Sequence, residues 1–185
     1  EQPPYVTQDV IKLDVFEAEM PNDALWRLLE QVIPSFIRRF ALDGARIDMG
    51  HALPKELLAR IIKEARARDS GFLFWSEVMD AQRSSQAQDD GFDFISGDTW
   101  SSYPALEKNH QNLLDALSQL SIPMLASLET PDTPRAALRY RDKRLLYALT
   151  MFNALLPNTL PSVNAGQECA ERQPMNLGLD NTEDG

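Results

Sequence analysis

The sequence has little of what several protein classes depend on. Its 185 residues include a single cysteine, Cys169, so the chain can form neither an internal disulfide nor a cysteine-based metal cluster. Only 18 basic residues face 28 acidic ones, a formal net charge of −10. Neutralising phosphates requires a basic face, so we expect no nucleic-acid partner. Charges interrupt every apolar run before it reaches membrane-spanning length, which excludes a transmembrane helix.

The rest of the composition is typical of an ordinary globular domain. Hydrophobic residues make up 43% and charged residues 25%, which excludes a disordered or fibrous chain. The length allows a sizeable core but is short for two domains. We see no signal peptide, but that absence says nothing about secretion if the natural N-terminus is missing. The expected compartment is the cytoplasm. The chain begins at Glu1 rather than methionine, so we also expect its natural N-terminus to lie outside this sequence.

Hydrophobic periodicity predicts helices that alternate with short strands. Residues 1–20 are Pro-rich at the start and form a loop, with one short extended piece, that leads into the first helix. Asn22 or Asp23 caps that helix, which runs to Leu42 with a kink at Pro34. The later strands are predicted at residues 45–49, 72–78, 92–96, 124–128 and 159–164. The later helices are predicted from Pro54 to before Gly71, at 103–120 and at 133–156, with a polar link at 82–90.

This order is typical of βα units around a parallel sheet. The strand at 72–78 is almost continuously apolar, as expected for a strand that is buried on both faces. No strand is followed by the glycine-rich turn of a nucleotide-binding doubly wound sheet. An α/β barrel is therefore the better architecture, and its functional residues stand at the C-terminal ends of the strands.

Acidic residues follow three of the predicted strands. Asp48 ends the first, with Arg46 two residues earlier on the same face; Glu77 ends the second, and Asp132 follows the fourth. Each has a structural interpretation: an ion pair for Asp48, a satisfied core carboxyl for Glu77 and a turn former for Asp132. Taken together, carboxyl groups that converge in different environments can supply the nucleophile and the general acid that glycosyl transfer requires.

At this point the sequence resembles the α-amylase family, glycoside hydrolase family 13. Gly44-Ala45-Arg46-Ile47-Asp48-Met49-Gly50-His51 looks like its fourth-strand motif, and Phe74-Trp75-Ser76-Glu77-Val78 looks like its fifth. Thr130-Pro131-Asp132-Thr133-Pro134-Arg135 is similar to the seventh-strand motif, and Pro161-Ser162-Val163-Asn164-Ala165-Gly166-Gln167-Glu168 to the eighth-strand segment. The four motifs occur in the family's order and cover nearly the whole chain.

The resemblance implies an incomplete (β/α)8 TIM barrel. Residues 1–185 would be the C-terminal part of one catalytic barrel and would cover about strands 4–8. The barrel's N-terminal strands, with the family's first motif, would be missing. Five parallel strands cannot close an eight-stranded barrel. We therefore expect this piece to be inactive by itself.

The resemblance also implies a role for each matching residue. Asp48 would be the nucleophile, Glu77 the general acid and then base, and Asp132 a ligand of sugar hydroxyls. Arg46 would keep Asp48 ionised and oriented, and His51 would reach the bound sugar. The further substrate-binding candidates are Trp75, Pro131, Arg135 and Glu168. Taken alone, His51 is more often a surface residue and Trp75 more often a core residue. No metal or cofactor is implied.

One departure concerns the seventh-strand motif. Pro131 stands where the family usually has a histidine, and proline cannot donate a hydrogen bond to a sugar. Thr130-Pro131-Asp132 is similar to the motif of maltosyltransferases, as is Pro174-Met175-Asn176-Leu177-Gly178-Leu179. The resemblance therefore implies a retaining enzyme that transfers or hydrolyses α-1,4-linked glucosyl or maltosyl units of maltodextrin. Phosphate or maltose 1-phosphate is a further candidate substrate.

Three alternatives stay open. The first is an α-amylase-type hydrolase, because the motifs do not fix whether water or a sugar hydroxyl resolves the intermediate. The second is a catalytically silent carbohydrate-binding or scaffold relative. The third is an unrelated α/β interaction domain in which the acids are structural. We expect no membrane partner, and the oligomeric state is undetermined.

Overall fold

The computed structural model describes residues 14–15, 20–50 and 53–175, and it is an α/β fold with a parallel sheet. The strands are β1 (Asp14–Val15), β2 (Met20–Pro21), β3 (Gly44–Ile47), β4 (Leu73–Ser76), β5 (Phe94–Ile95), β6 (Met124–Ala126) and β7 (Thr159–Pro161). The helices are α1 (Asp23–Phe40), α2 (Lys55–Arg68), α3 (Ser84–Asp89), α4 (Thr99–Ser102), α5 (Leu106–Ser118), α6 (Ala136–Arg139) and α7 (Lys143–Asn153). None of these helices is long and apolar enough to cross a membrane.

The chain forms two compact units. The first comprises Glu1–Ala45 and Leu53–Leu73, and the second comprises Arg46–Ala52 and Phe74–Gly185. In the first unit, β1 and β2 pair in antiparallel fashion within the region predicted as a loop. Residues 1–13 and 16–19 of that predicted loop lie outside the described residues.

Helices α1 and α2 pack on each other in the first unit. The Asn22 side chain accepts a hydrogen bond from the Leu25 amide at 3.2 Å, as the predicted cap requires. The helix continues through Pro34 and ends at Phe40, because Ala41 adopts a left-handed conformation with φ 51°. The predicted end at Leu42 is therefore two residues too late. Trp26 and the apolar stripe of α2 are buried.

Strands β3 to β7 form one five-stranded sheet in the order β3-β4-β5-β6-β7. The pairs from β4 to β7 are parallel, and their register places Trp75 beside Phe94, Ile95 beside Met124 and Ala126 beside Pro161. The strand residues Phe74, Ile95, Met124 and Ala126 are buried and form part of the core. Strands in chain order with parallel pairing direct their C-terminal ends to one edge of the sheet.

Three predictions of secondary structure need correction. The strand predicted at 72–78 spans only Leu73–Ser76 and alternates, since Leu73 is 48% exposed whereas Phe74 is fully buried. The polar link at 82–90 is a 3₁₀ turn followed by α3. The single helix predicted at 133–156 is broken into α6 and α7. There, the Asp142 side chain accepts a hydrogen bond from the Arg144 amide and begins a new helix.

Candidate functional site

Arg46 joins two of the predicted carboxylates at the C-terminal ends of β3 and β4. Its Nη1 lies 2.6 Å from Oδ1 of Asp48, and its Nη2 lies 2.7 Å from Oε1 of Glu77. The side chains of Arg46, Asp48 and Glu77 are 35%, 69% and 15% exposed. One guanidinium therefore lies between two carboxyl groups, in a cluster that solvent and a ligand can reach.

The second oxygen of Glu77 is held by the backbone that follows β3. The Met49 amide donates to Oε2 of Glu77 at 2.9 Å. Met49 has φ 48°, a left-handed conformation that a non-glycine residue rarely adopts. A strained backbone position beside a charged cluster is a common feature of functional sites.

Trp75 lies next to this cluster rather than in the core. Its ring stacks on Phe94 with a centroid separation of 5.9 Å and an interplanar angle of 20°. Its Nε1 donates to Oγ of Ser96 at 2.9 Å, and the Arg46 guanidinium lies 5.4 Å from the ring centroid. These contacts fix the indole plane and leave the residue partly exposed.

A cavity of about 390 Å³ opens at this edge of the sheet. Among the predicted site residues, Arg46, Trp75, Pro131 and Asp132 line it; Asp48 and Glu77 adjoin it through their ion pairs with Arg46. The other lining residues are Met79, Ser96, Gly97, Leu125, Ser127, Glu129, Thr130, Ser162 and Asn164. A mixed polar and apolar cavity of this size is within the range of small-molecule sites.

Asp132 lies on a tight turn after β6. The Asp132 amide donates to Oγ1 of Thr130 at 3.2 Å, and the Thr130 amide donates to Oγ1 of Thr133 at 2.8 Å. Pro131 and Asp132 are exposed at the tip of this turn. The hydroxyl groups therefore satisfy the turn's backbone and hold the Asp132 backbone beside the cavity.

A buried ion pair stands at the two ends of that turn. Oε1 of Glu129 lies 2.8 Å from Nη1 of Arg135, and these side chains are only 1% and 2% exposed. Oε2 of Glu129 accepts a hydrogen bond from the Ala136 amide at 2.5 Å. Burial raises the pKa of the Glu129 carboxyl, while the Ala136 amide and the Arg135 and Arg139 guanidinium groups oppose the shift.

The segment after β7 is bonded to this pair. Nη2 of Arg135 donates to the Ala165 carbonyl at 2.7 Å, and Nδ2 of Asn164 donates to the Glu129 carbonyl at 2.5 Å. Gly166 has φ 93°, and a Cβ built there would collide with Nη2 of Arg135. Glycine is therefore required at this position by both its conformation and its close approach to Arg135.

The other predicted residues are placed differently. Arg135 does not line the cavity, although the sequence analysis expected it to bind substrate; its guanidinium is turned into the protein against Glu129. Glu168 is exposed, accepts from the Gly166 amide at 2.9 Å and is not among the lining residues. His51 lies outside the described residues. Within the described ranges, no group of three His, Cys, Asp or Glu residues could hold a metal ion.

A second, larger cavity of about 990 Å³ has a different lining. It lies against α5 and α7 and includes Tyr103, Leu106, Tyr140, Leu149 and Phe152. None of the predicted site residues lines it, and its walls are mainly apolar. The strand-end cavity is therefore the one that the carboxylates adjoin.

Sequence reasoning missed the partners that hold the Asp132 turn. Glu129 directly follows an apolar strand that ends in Leu128, a position where a carboxyl is buried and must be paired. That signal was available. No sequence signal indicated the roles of Asn164 and Ala165, because their hydrogen-bond partners are 30 or more residues away in the chain.

Comparison with solved structures shows the fold. No family model matches the chain, and no curated protein matches it. An α-amylase from Anoxybacillus is similar with a TM-score of 0.67 at 18% identity, covering 94% of this chain and 47% of that one. An α-amylase from Geobacillus thermoleovorans in complex with acarbose gives 0.67 at 18% identity, covering 83% and 38%. One from Lactobacillus plantarum gives 0.64 at 16%, covering 82% and 41%.

These identities establish likeness of fold and no more. The chain spans less than half the length of each of these three α-amylases. The parallel sheet with its helices thus has the arrangement found in part of an α-amylase structure.

Proposed function

We propose that this chain is part of a retaining α-glucan-active enzyme of the α-amylase family. The observation that carries the proposal is the Arg46 guanidinium, which lies 2.6 Å from Asp48 and 2.7 Å from Glu77 at the ends of adjacent strands. A retaining glycosidase needs two carboxyl groups about 5–5.5 Å apart on either side of the glycosidic bond. One arginine between the two is compatible with that spacing.

Asp48 is the proposed nucleophile. Its Oδ1 accepts from Arg46, which orients the carboxylate that must attack the anomeric carbon. Its side chain is 69% exposed, so a sugar can approach it. The attack forms a covalent glycosyl-enzyme intermediate and expels the leaving-group oxygen.

Glu77 is the proposed general acid and base. Its two oxygens accept from Arg46 and from the Met49 amide, and these contacts orient the carboxyl group. To act as the general acid, Glu77 must carry a proton, taken from solvent or, in later turnovers, from the incoming hydroxyl or water, and must present it to the glycosidic oxygen in place of one of these contacts. Once the leaving group departs, the same two donors stabilise the carboxylate that remains, and it can then deprotonate the incoming hydroxyl or water.

Asp132 and Trp75 are the proposed binding residues for the sugar. Both line the 390 Å³ cavity beside Arg46. A carboxylate accepts hydrogen bonds from sugar hydroxyls, and a fixed indole offers an apolar face. His51 remains a candidate from the sequence, and Arg135 is better placed to hold the Asp132 turn than to touch a sugar.

We also propose that the chain corresponds to strands 4–8 of an eight-stranded barrel. Its five strands run in chain order and pair in parallel from β4 to β7. Five strands cannot enclose a barrel, and the similar α-amylases are more than twice the matched length. The substrate site of the whole protein would therefore include residues from other barrel strands.

Transfer of maltosyl units is the finer proposal. Pro131 lines the cavity and offers no N–H, so a hydrogen bond to the sugar that a histidine would supply is lost. The resemblance of Thr130-Pro131-Asp132 to maltosyltransferase motifs supports an acceptor other than water. That acceptor is a glucan hydroxyl or phosphate. With phosphate as acceptor the product is maltose 1-phosphate, which is the maltosyl donor in the reverse direction.

The test is product analysis by thin-layer chromatography. The natural full-length protein is incubated with maltotetraose, with and without phosphate. Transfer gives longer and shorter oligosaccharides, phosphorolysis gives a phosphate-dependent sugar phosphate, and hydrolysis gives only shorter sugars. No product under any condition would contradict the enzyme proposal and favour a silent carbohydrate-binding relative.

Two variants make the test specific to the site. Glu77→Gln removes the proton donor and should lower kcat by about 10²- to 10⁴-fold. The matched control is Glu56→Gln on α2, whose carboxylate also pairs with an arginine, Arg60, at 2.6 Å. The control should keep wild-type turnover, because an exposed helical ion pair contributes little.

A further inference from the structure

A polar assembly built on a buried ion pair connects the turn that carries Asp132 with the segment after β7. It consists of Glu129, Arg135, Asn164 and the Ala165 carbonyl, and we refer to it as the β6–β7 clamp. Three contacts form it: the 2.8 Å ion pair, the Arg135 bond to Ala165 at 2.7 Å and the Asn164 bond to Glu129 at 2.5 Å. The proposed chemistry assigns none of these groups a contact with sugar.

Burying two charges needs a reason, because a buried ion pair is rarely more stable than apolar residues of similar size. Glu129 and Arg135 are 1% and 2% exposed. Their geometry supplies that reason. They flank the turn at residues 130–134, so their separation determines where the Asp132 backbone lies beside the cavity.

The clamp also links two loops that the main chain leaves independent. The loops that follow neighbouring parallel strands contact the ligand, but the hydrogen bonds of the sheet do not extend to them. Arg135 reaches across to Ala165, Asn164 reaches back to Glu129, and Asn164 also lines the cavity. Gly166 leaves the space that the guanidinium occupies.

We propose that Glu129 and Arg135 are positioning residues that act through Asp132. The clamp fixes the Asp132 turn relative to the loop after β7, so that Asp132 meets the sugar in the geometry of the transition state. This inference rests on the proposed function. It adds that the efficiency of Asp132 depends on a buried ion pair.

Glu129→Gln in the full-length protein is the main variant. One amide oxygen can still accept from Ala136, but the amide nitrogen is a donor and would oppose the Arg135 guanidinium. The turn should shift, and a misplacement of about 1 Å is expected to lower kcat by about 10²-fold. KM should change little, because the lost interaction belongs to the transition state.

A double-mutant cycle separates positioning from general damage. Asp132→Asn alone should lower kcat by about 10²- to 10³-fold, the loss of one preorganised transition-state contact. If the clamp acts through Asp132, adding Glu129→Gln to Asp132→Asn should then cost almost nothing further. A purely structural role would instead give the full additional loss.

Asn164→Ala provides a second measurement that keeps both charges. It removes the bond to the Glu129 carbonyl and should lower kcat more than it raises KM, again only when Asp132 is present. Arg60→Gln is the control, since Arg60 forms exposed ion pairs with Glu30 and Glu56 on the helices of the first unit. It should leave both kinetic constants unchanged.

Two results overturn the inference. If Glu129→Gln and Asn164→Ala both fold and turn over like wild type, the clamp positions nothing. If their losses persist in full in the Asp132→Asn background, they act through another route. A wild-type rate for Asp132→Asn alone would instead contradict the proposed function, so the two failures are distinguishable.

Discussion

Two arginine–carboxylate groups of the second unit, one around Arg46 and one around Arg135, use the same chemistry in opposite surroundings. Arg46 joins Asp48 and Glu77 in a cluster whose side chains are between 15% and 69% exposed. Arg135 joins Glu129 where both side chains are at most 2% exposed. The first cluster can exchange a partner for a ligand at small cost, whereas the second cannot be opened without leaving a charge in the protein interior.

The difference separates chemistry from architecture. A group that must attack a sugar, or lend it a proton, has to be reached by the sugar, and the Arg46 cluster meets that condition beside the cavity. A group that must hold a loop in place is most effective when water cannot compete for its hydrogen bonds. Each of the following substitutions tests one side of this comparison.

The largest effect is expected for Asp48→Asn. The amide cannot act as a nucleophile, so turnover of the full-length protein should fall by about 10⁴-fold or more. Because Asp48 is exposed, the free energy of unfolding should change by no more than about 1 kcal/mol. Kinetics on maltotetraose and denaturant unfolding measure the two quantities. Full activity, or loss of folding, would contradict the assignment.

The next effect concerns stability and is expected for Arg135→Met. The change leaves Glu129 buried without its cation and should lower the free energy of unfolding at pH 7 by about 3–5 kcal/mol. Replacing both residues, Glu129→Leu with Arg135→Met, should recover most of this loss. Urea unfolding of the three variants is the measurement, and an unaffected single variant would contradict the buried pair.

The pH dependence of that loss follows from the pKa of Glu129, which burial raises. A carboxyl whose folded-state pKa exceeds its unfolded value contributes stability below the unfolded pKa, and loses it as pH rises through the folded pKa. The cost of Arg135→Met should therefore be smallest in acid, where Glu129 is protonated, and grow toward neutral pH. A cost that is independent of pH would indicate lost packing alone.

The smallest effect on stability is expected for Arg46→Met, which is the matched change in the exposed cluster. It should change the free energy of unfolding by at most about 1 kcal/mol, because water can solvate Asp48 and the Met49 amide still bonds to Glu77. It should nevertheless impair turnover, since Asp48 loses its orienting cation. A stability loss as large as that of Arg135→Met would contradict the proposed difference in stability between the Arg46 cluster and the Arg135–Glu129 pair.

Local sequence signals predicted much of the fold. Asn22 caps α1 as expected, and the stripe from Leu57 to Ala65 is buried in α2. The alternation of helices and strands predicted a parallel sheet, which the structure contains. The errors occurred where polar residues form helices, as in α3, or where a side chain starts a new helix, as at Asp142. Hydrophobic periodicity does not reveal a side chain that caps a new helix within a longer apolar segment.

The candidate site divides in the same way. Placing Asp48, Glu77 and Asp132 at strand ends needed only the strand positions, and the structure brings the first two to one guanidinium. Arg135 was expected to contact substrate, because its motif lies beside Asp132. Its burial against Glu129, and its bond to Ala165, depend on how two distant loops pack.

The sequence by itself determined which residues stand near the C-terminal ends of the strands, because the apolar segments locate each strand end to within three residues. Only the tertiary structure decided which of their charges meet a cavity and which are buried. That choice depends on contacts such as Glu77 to Met49 and Asn164 to Glu129, made across 28 and 35 residues of chain. Solvent exposure is a property of the packed loops, and it separates the arginine that can serve a substrate from the one that holds a turn.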